Sequence, residues 1–110
     1  MKITRGDTGN YHFQCLDVDN QVITTIADGI YFTVKPSWNT ATAVLQKTLS
    51  DMTFDEDGTY HFTLQPNDTE HLAYGNYVFD IEVTRDGVVT TIAKGNLTIT
   101  QEATWAVNKE

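Results

Sequence analysis

The chain has 110 residues, a formal net charge of -8, one cysteine and 40% hydrophobic residues. This length suits one domain with a sizeable core, and a single cysteine excludes an intrachain disulfide. Fifteen acidic residues against seven scattered basic ones argue against nucleic acid and anionic membranes as partners. We expect no signal peptide, because the N-terminus reaches charge and glycine at once, and no apolar run is long enough to span a membrane.

The apolar residues of the first half recur with a period of two, which is typical of half-buried strands. After a short strand at residues 2–5, a second strand carries Tyr11, Phe13 and Cys15 on one face, so Cys15 is predicted to be a buried structural residue. A third strand, residues 30–35, stops at Pro36. Residues 43–49 are predicted as an edge strand, where Lys47 discourages edge-to-edge pairing.

The second half predicts two hairpins and one helical turn. Turn-forming residues at 55–58 precede a strand of alternating apolar residues, and the Asp-Gly pair at Asp86 and Gly87 joins two further strands. A helical turn is expected near residues 67–73. The apolar face slips by one position in the last strand, and Gly95 is the predicted site of a compensating bulge or bend.

About seven short strands without a long helix favour an immunoglobulin-like antiparallel β-sandwich, with a small barrel as the alternative. Tyr77 follows a tight corner at the start of the penultimate predicted strand, which makes it the candidate for a tyrosine corner. We therefore predict a sandwich domain at residues 1–100 and a C-terminal tail or extension at residues 101–110.

The sequence predicts no catalytic, cofactor-binding or metal-binding residue. His12, His61 and His71 lack the spacing of metal ligands, and the first two lie opposite the apolar faces of their strands, where we expect them to face solvent or a partner. The carboxylates fall mostly in turns, so no acid pair of a glycosidase stands out. These features favour a non-enzymatic protein.

Two tryptophans are the candidates for contact with a partner. Trp38 lies in the longest predicted loop and Trp105 lies in the tail, positions where a large aromatic side chain either folds back or meets another molecule. An alternative keeps Trp38 together with Tyr31, Tyr60 and Tyr74 as a platform on which sugar rings stack.

Several short motifs form a distinctive ordered set. The opening Arg5-Gly6-Asp7-Thr8 and residues 29–35 resemble the start of small β-sandwich proteins encoded in tail and baseplate regions of phages and prophages. The later pattern, which runs from Leu72-x-x-Gly75-x-Tyr77 through the Asp-Gly turn to Thr98-Ile99, is similar to the N-terminal domain of phage baseplate upper proteins. The resemblance extends to about residue 100.

This resemblance implies a non-enzymatic structural module of a phage or prophage tail or baseplate, which acts through protein–protein contacts in virion assembly. It implies other tail or baseplate proteins as partners, a homo-oligomer in the assembly, no cofactor, and a place in the virion tail after synthesis in the bacterial cytoplasm. The alternative hypothesis is a carbohydrate-binding module that recognises a cell-surface glycan through exposed aromatic side chains.

Overall fold

The computed structural model describes residues 1–101, which form two β-sheets and two short helical turns. The strands are β1 (Lys2–Thr4), β2 (Gly9–Gln14), β3 (Gly29–Lys35), β4 (Leu45–Thr48), β5 (Thr53–Phe54), β6 (Thr59–Leu64), β7 (Gly75–Arg85) and β8 (Val88–Thr100). A 3₁₀ helix spans Leu49–Asp51, and one α-helical turn, α1, spans Pro66–Thr69. The larger sheet has the order β1-β8-β7-β3-β4, and the smaller has the order β2-β6-β5.

This arrangement confirms the all-β sandwich and the helical turn. The strand pairs are antiparallel apart from β1 and β8, which run parallel through Lys2–Thr4 and Thr98–Thr100. Helix α1 begins with a proline and is stabilised at its start by the Asp68 carboxylate, which accepts a hydrogen bond of 2.7 Å from the backbone N–H of Gln65. No helix within residues 1–101 has the length and apolar composition to cross a bilayer.

The core lies between the two sheets and is rich in aromatic rings. Phe32 of the larger sheet contacts Phe62 of the smaller one, with 4.8 Å between ring centroids, and Phe13 stacks on Tyr60 at 5.1 Å. The buried Tyr60 hydroxyl accepts a hydrogen bond of 2.9 Å from the backbone N–H of Ala27, so its polar atom is satisfied. Cys15 is only 3% exposed and carries a free thiol, which confirms its prediction as a buried residue.

The tyrosine corner forms as predicted. The Tyr77 hydroxyl donates a hydrogen bond of 2.7 Å to the carbonyl oxygen of Ala73, four residues upstream. The ring of Tyr77 is buried, and so is Leu97, its register partner on β8. The corner therefore attaches the connection between α1 and β7 to the end of the sandwich.

The predicted hairpin of β7 and β8 is also present, but its bulge is elsewhere. Asp86 and Gly87 have φ angles of 50° and 79°, and a two-residue hairpin turn of type I′ requires positive φ at both of its central residues. Gly95 stands in regular register opposite Phe79, so the prediction of a bulge there is wrong. Thr91 pairs with Glu82 and Ala93 pairs with Ile81, although Glu82 and Ile81 are adjacent in β7. Ile92 is therefore the extra residue of the bulge. Gly95 has a packing role instead, because a β-carbon there would come within 3.3 Å of the Phe79 ring.

Candidate binding surface

The outer face of the larger sheet is the surface that turns away from the core. Neighbouring strands place Thr33, Asp80 and Lys94 in one row across β3, β7 and β8. Tyr31 and Glu82 form the next row, and the side chain of Tyr31 is 48% exposed. Because side chains alternate along a strand, these residues share the face opposite the buried Phe32 and Ile81.

Trp38 lies over this outer face, in the loop that leaves β3 at Pro36. The loop closes by a hydrogen bond of 3.2 Å from the backbone N–H of Thr40 to the carbonyl oxygen of Ser37, and the two hydroxyls lie 2.9 Å apart. Trp38 remains 55% exposed. A short hydrogen-bonded turn next to a rigid strand therefore presents a large aromatic side chain to solvent.

Two adjoining depressions meet at Trp38. The smaller measures about 30 Å³ and the larger about 480 Å³. Both are lined by Trp38 and Asp80; the first adds Thr33, Lys35, Val78 and Phe79, and the second adds Thr91, Ile92, Ala93 and Lys94. An aromatic face beside carboxylate, ammonium and hydroxyl groups is suited to binding a partner that has both apolar and polar groups. We call this site the Trp38 surface.

The four-residue aromatic platform does not form. Tyr60 is wholly buried in the core, so its predicted exposure is wrong; the alternating pattern that placed it on a strand also placed it on the apolar face. Tyr74 is 41% exposed, but Arg5 packs on one face of its ring: the guanidinium carbon lies 4.1 Å from the ring centroid, and Nη2 donates a hydrogen bond of 2.7 Å to the hydroxyl. Trp38 and Tyr31 remain as exposed aromatics on one face.

His12 and His61 lie on the smaller sheet, away from the Trp38 surface. His12 and His61 are paired across β2 and β6, exposed as predicted, with 5.9 Å between ring centroids. His61 Nε2 lies 2.7 Å from a carboxylate oxygen of Asp55. No group of three or more His, Cys, Asp or Glu side chains within residues 1–101 is arranged to hold a metal ion.

Two groups on the smaller sheet have shifted pKa values. Hydrogen bonds from the side chain and then the backbone of Thr59 lower the pKa of the Asp57 carboxyl, the backbone bond measuring 3.0 Å. Burial raises the pKa of Tyr11, which packs against Phe62 with 5.6 Å between ring centroids. Neither group lines the Trp38 surface, so neither pKa shift bears on binding there.

Trp105, the second predicted contact residue, lies outside the described residues, so its role stays a prediction. Asp80 and Lys94, in contrast, were not predicted as part of a site. They are 14 residues apart in sequence, and only the register of β7 and β8 brings them side by side. An alternating strand pattern shows which residues face outward, but the bulge at Ile92 decides which of them are neighbours.

No protein-family model and no curated protein matches the chain. Among solved structures, the chain is similar to the endo-beta-1,4-mannanase from Thermotoga petrophila, with a TM-score of 0.59 and 14% sequence identity. The match covers 92% of this chain and 17% of the mannanase chain. At this identity the likeness concerns the fold alone: the chain shares a sandwich architecture with a minor part of a much longer enzyme.

Proposed function

We propose that the chain is a non-enzymatic structural module of a phage or prophage tail or baseplate, located in the virion and acting through protein–protein contacts. The ordered motif set supports the class of protein. The observation that carries a contact role is Trp38, a half-exposed indole on a hydrogen-bonded turn above a rigid sheet.

The Trp38 surface has the composition of a protein contact. Tryptophan is enriched among residues that dominate binding energy, and such residues are surrounded by groups that exclude water. Here Asp80 and Lys94 supply charges of both signs beside the indole, which gives a partner polar groups to match. In this proposal a complementary partner buries Trp38 and pairs with these charges at the rim.

Mass spectrometry of purified particles, released by inducing the source bacterium, tests this proposal. We expect peptides spanning residues 75–85 at stoichiometric levels in intact particles. Trp38→Ala should lower incorporation by about tenfold or more, as for a central aromatic anchor. Ile26→Ala is the matched control, since Ile26 is 56% exposed in a loop on a different part of the chain. Protein that is present in the lysate but missing from particles would contradict the proposal.

A glycan-binding role is the second candidate, favoured by the polar groups around Trp38. Sugar rings stack on aromatic faces while carboxylate and hydroxyl groups bind their hydroxyls, and Asp80 and Thr33 both line the depressions at Trp38. Titration of the purified chain against a broad glycan panel distinguishes the two roles. Binding that Trp38→Ala abolishes would favour this candidate, and flat titrations would reject it.

A further inference from the structure

The edge strand β8 is covered along only part of its length. Strand β1 pairs with Thr98–Thr100, and the N-terminal amino group of Met1 reaches the carbonyl oxygen of Asn96 at 3.2 Å. Between Val88 and Lys94, β8 pairs with β7 on one side and with no other strand of residues 1–101 on the other. These residues offer unpaired backbone groups to an added strand.

An apolar cavity of about 260 Å³ lies beside this free edge. It is lined by Cys15, Leu16, Ile23, Val83, Arg85, Val88, Thr90 and Ile92. Leu16 and Val88, which both line the cavity, are each more than half exposed, so the apolar surface continues to its mouth. Because an engineered cavity of about 150 Å³ already accommodates benzene, this one is large enough for an indole ring.

Arg85 leaves a hydrogen-bonding capacity unused in the wall of the cavity. Its two terminal nitrogens donate bonds of 3.3 Å to the hydroxyls of Thr25 and Tyr60. Its Nε is buried and finds no acceptor among the described residues. A buried donor without an acceptor is costly, which makes this wall of the cavity a weakly stabilised part of the sandwich. A free strand edge above an apolar cavity is the geometry in which proteins bind an added strand.

We propose that this edge binds the segment 103–107 of a second copy of the chain, with Trp105 in the cavity. In that segment Ala103, Trp105 and Val107 alternate with Thr104 and Ala106, so an extended conformation places the three apolar side chains on one face. Such a segment fits the two features of the receiving site: it pairs with the backbone of β8 and fills the cavity with alternate side chains.

The segment of the same chain is too far from the cavity. Trp105 follows Thr100 by five residues, which span at most about 18 Å when fully extended. Ile92, in the cavity wall, precedes Thr100 by eight residues of β8, or about 26 Å. The tail would also have to reverse direction past β1, which occupies the edge at Thr98–Thr100. The tail of a second copy is limited neither by this distance nor by the position of β1.

Sedimentation analysis of the full chain over a range of concentrations tests this inference. We expect reversible association, which Trp105→Ser weakens by about tenfold or more, as the loss of a buried aromatic anchor does. Thr90→Arg, at an exposed position in the cavity wall, should weaken it similarly without repacking the core. Trp38→Ser is the matched tryptophan control and should leave association unchanged, which separates this inference from the role proposed for the Trp38 surface.

Mixing the two variants gives a sharper result. The Trp105→Ser chain keeps an intact cavity, and the Thr90→Arg chain keeps an intact donor segment, so a mixture should associate more tightly than either variant does alone. Circular dichroism of each variant checks that the sandwich is folded. A wild-type chain that stays monomeric at every concentration, or an association that Trp105→Ser leaves unchanged, would overturn the inference.

Discussion

The two outer edges of the larger sheet are protected very differently. At one edge, β4 has only the residues Leu45–Thr48, and Lys47 lies opposite the buried Phe32, so that its charge points inward. Its ammonium nitrogen lies 2.9 Å from a carboxylate oxygen of Asp68, with both side chains less than one fifth exposed. At the other edge, β8 has 13 residues, and β1 covers the last three of them.

The difference shows where the fold excludes neighbours and where it accepts them. A short edge strand with an inward-pointing charge resists pairing with another chain. Residues Val88–Lys94 carry two exposed valines, lie beside an apolar cavity and contain no proline, so the open edge lacks most of these protections. The bulge at Ile92 and the charge of Lys94 limit pairing to a partner that fits the edge.

The largest stability effect is expected beneath the open edge, at Tyr60. Tyr60→Phe removes the acceptor of the Ala27 N–H and the partner of Arg85, which leaves buried polar groups unpaired. We expect a loss of about 2–3 kcal/mol in the free energy of unfolding, measured by urea denaturation. Tyr77→Phe is the matched control: it removes one hydrogen bond, to Ala73, and should cost about 1 kcal/mol. Equal losses of stability in the two variants would contradict the larger role assigned to the two hydrogen bonds of the Tyr60 hydroxyl.

A smaller effect is expected at the closed edge. Lys47→Ala leaves the Asp68 carboxylate in a partly buried position without its cation, and we expect a cost of about 1–2 kcal/mol in urea denaturation. Lys94→Ala, the same substitution at an exposed position of β8, should change stability by no more than about 0.5 kcal/mol. A cycle with Asp68→Ala should show coupling between Lys47 and Asp68; additive losses would contradict the assigned role of the pair.

The smallest effect concerns the edge of the smaller sheet, where Asp57 lies in the turn between β5 and β6. Its pKa is lowered in the folded chain by hydrogen bonds from Thr59, so its stabilising effect is present above the ordinary pKa of an aspartate and is lost as the pH falls through the lowered value. The difference in unfolding free energy between wild type and Asp57→Asn should therefore decrease as the pH falls from neutral through the lowered pKa of Asp57. A difference that stays constant over this range would contradict the role of the carboxylate.

Much of the sandwich could be predicted because its signals are local. The alternation around Phe32, the Asp86-Gly87 turn and the position of Tyr77 each depend on a few neighbouring residues. The site of the bulge could not be predicted, because it depends on how β7 and β8 align over more than ten residues. The bulge was predicted at Gly95 because a glycine within a strand often marks one. A glycine is also found where a side chain approaches the backbone closely, as the Phe79 ring does here.

The surfaces were harder to predict than the core. Trp38 stood out in the sequence as a large aromatic side chain in a loop, and its exposure now makes it the centre of a candidate surface. The open edge and its cavity had no such signal: Cys15, Val83 and Ile92 come from three strands or their extensions, and each looks like an ordinary core residue by itself. The open edge becomes visible only in the structure, where β1 pairs with Thr98–Thr100 and leaves the earlier residues of β8 without a strand on that side.

Hydrogen exchange of the full chain at low and high concentration tests most directly whether the two edges differ as described. The account predicts that raising the concentration slows exchange at backbone amides of residues 88–94, while the amides of Leu45–Thr48 exchange at an unchanged rate. The gain in protection should disappear in the Trp105→Ser variant. Protection gained at β4, or at neither edge, would contradict the assignment of β8 as the edge that accepts a strand.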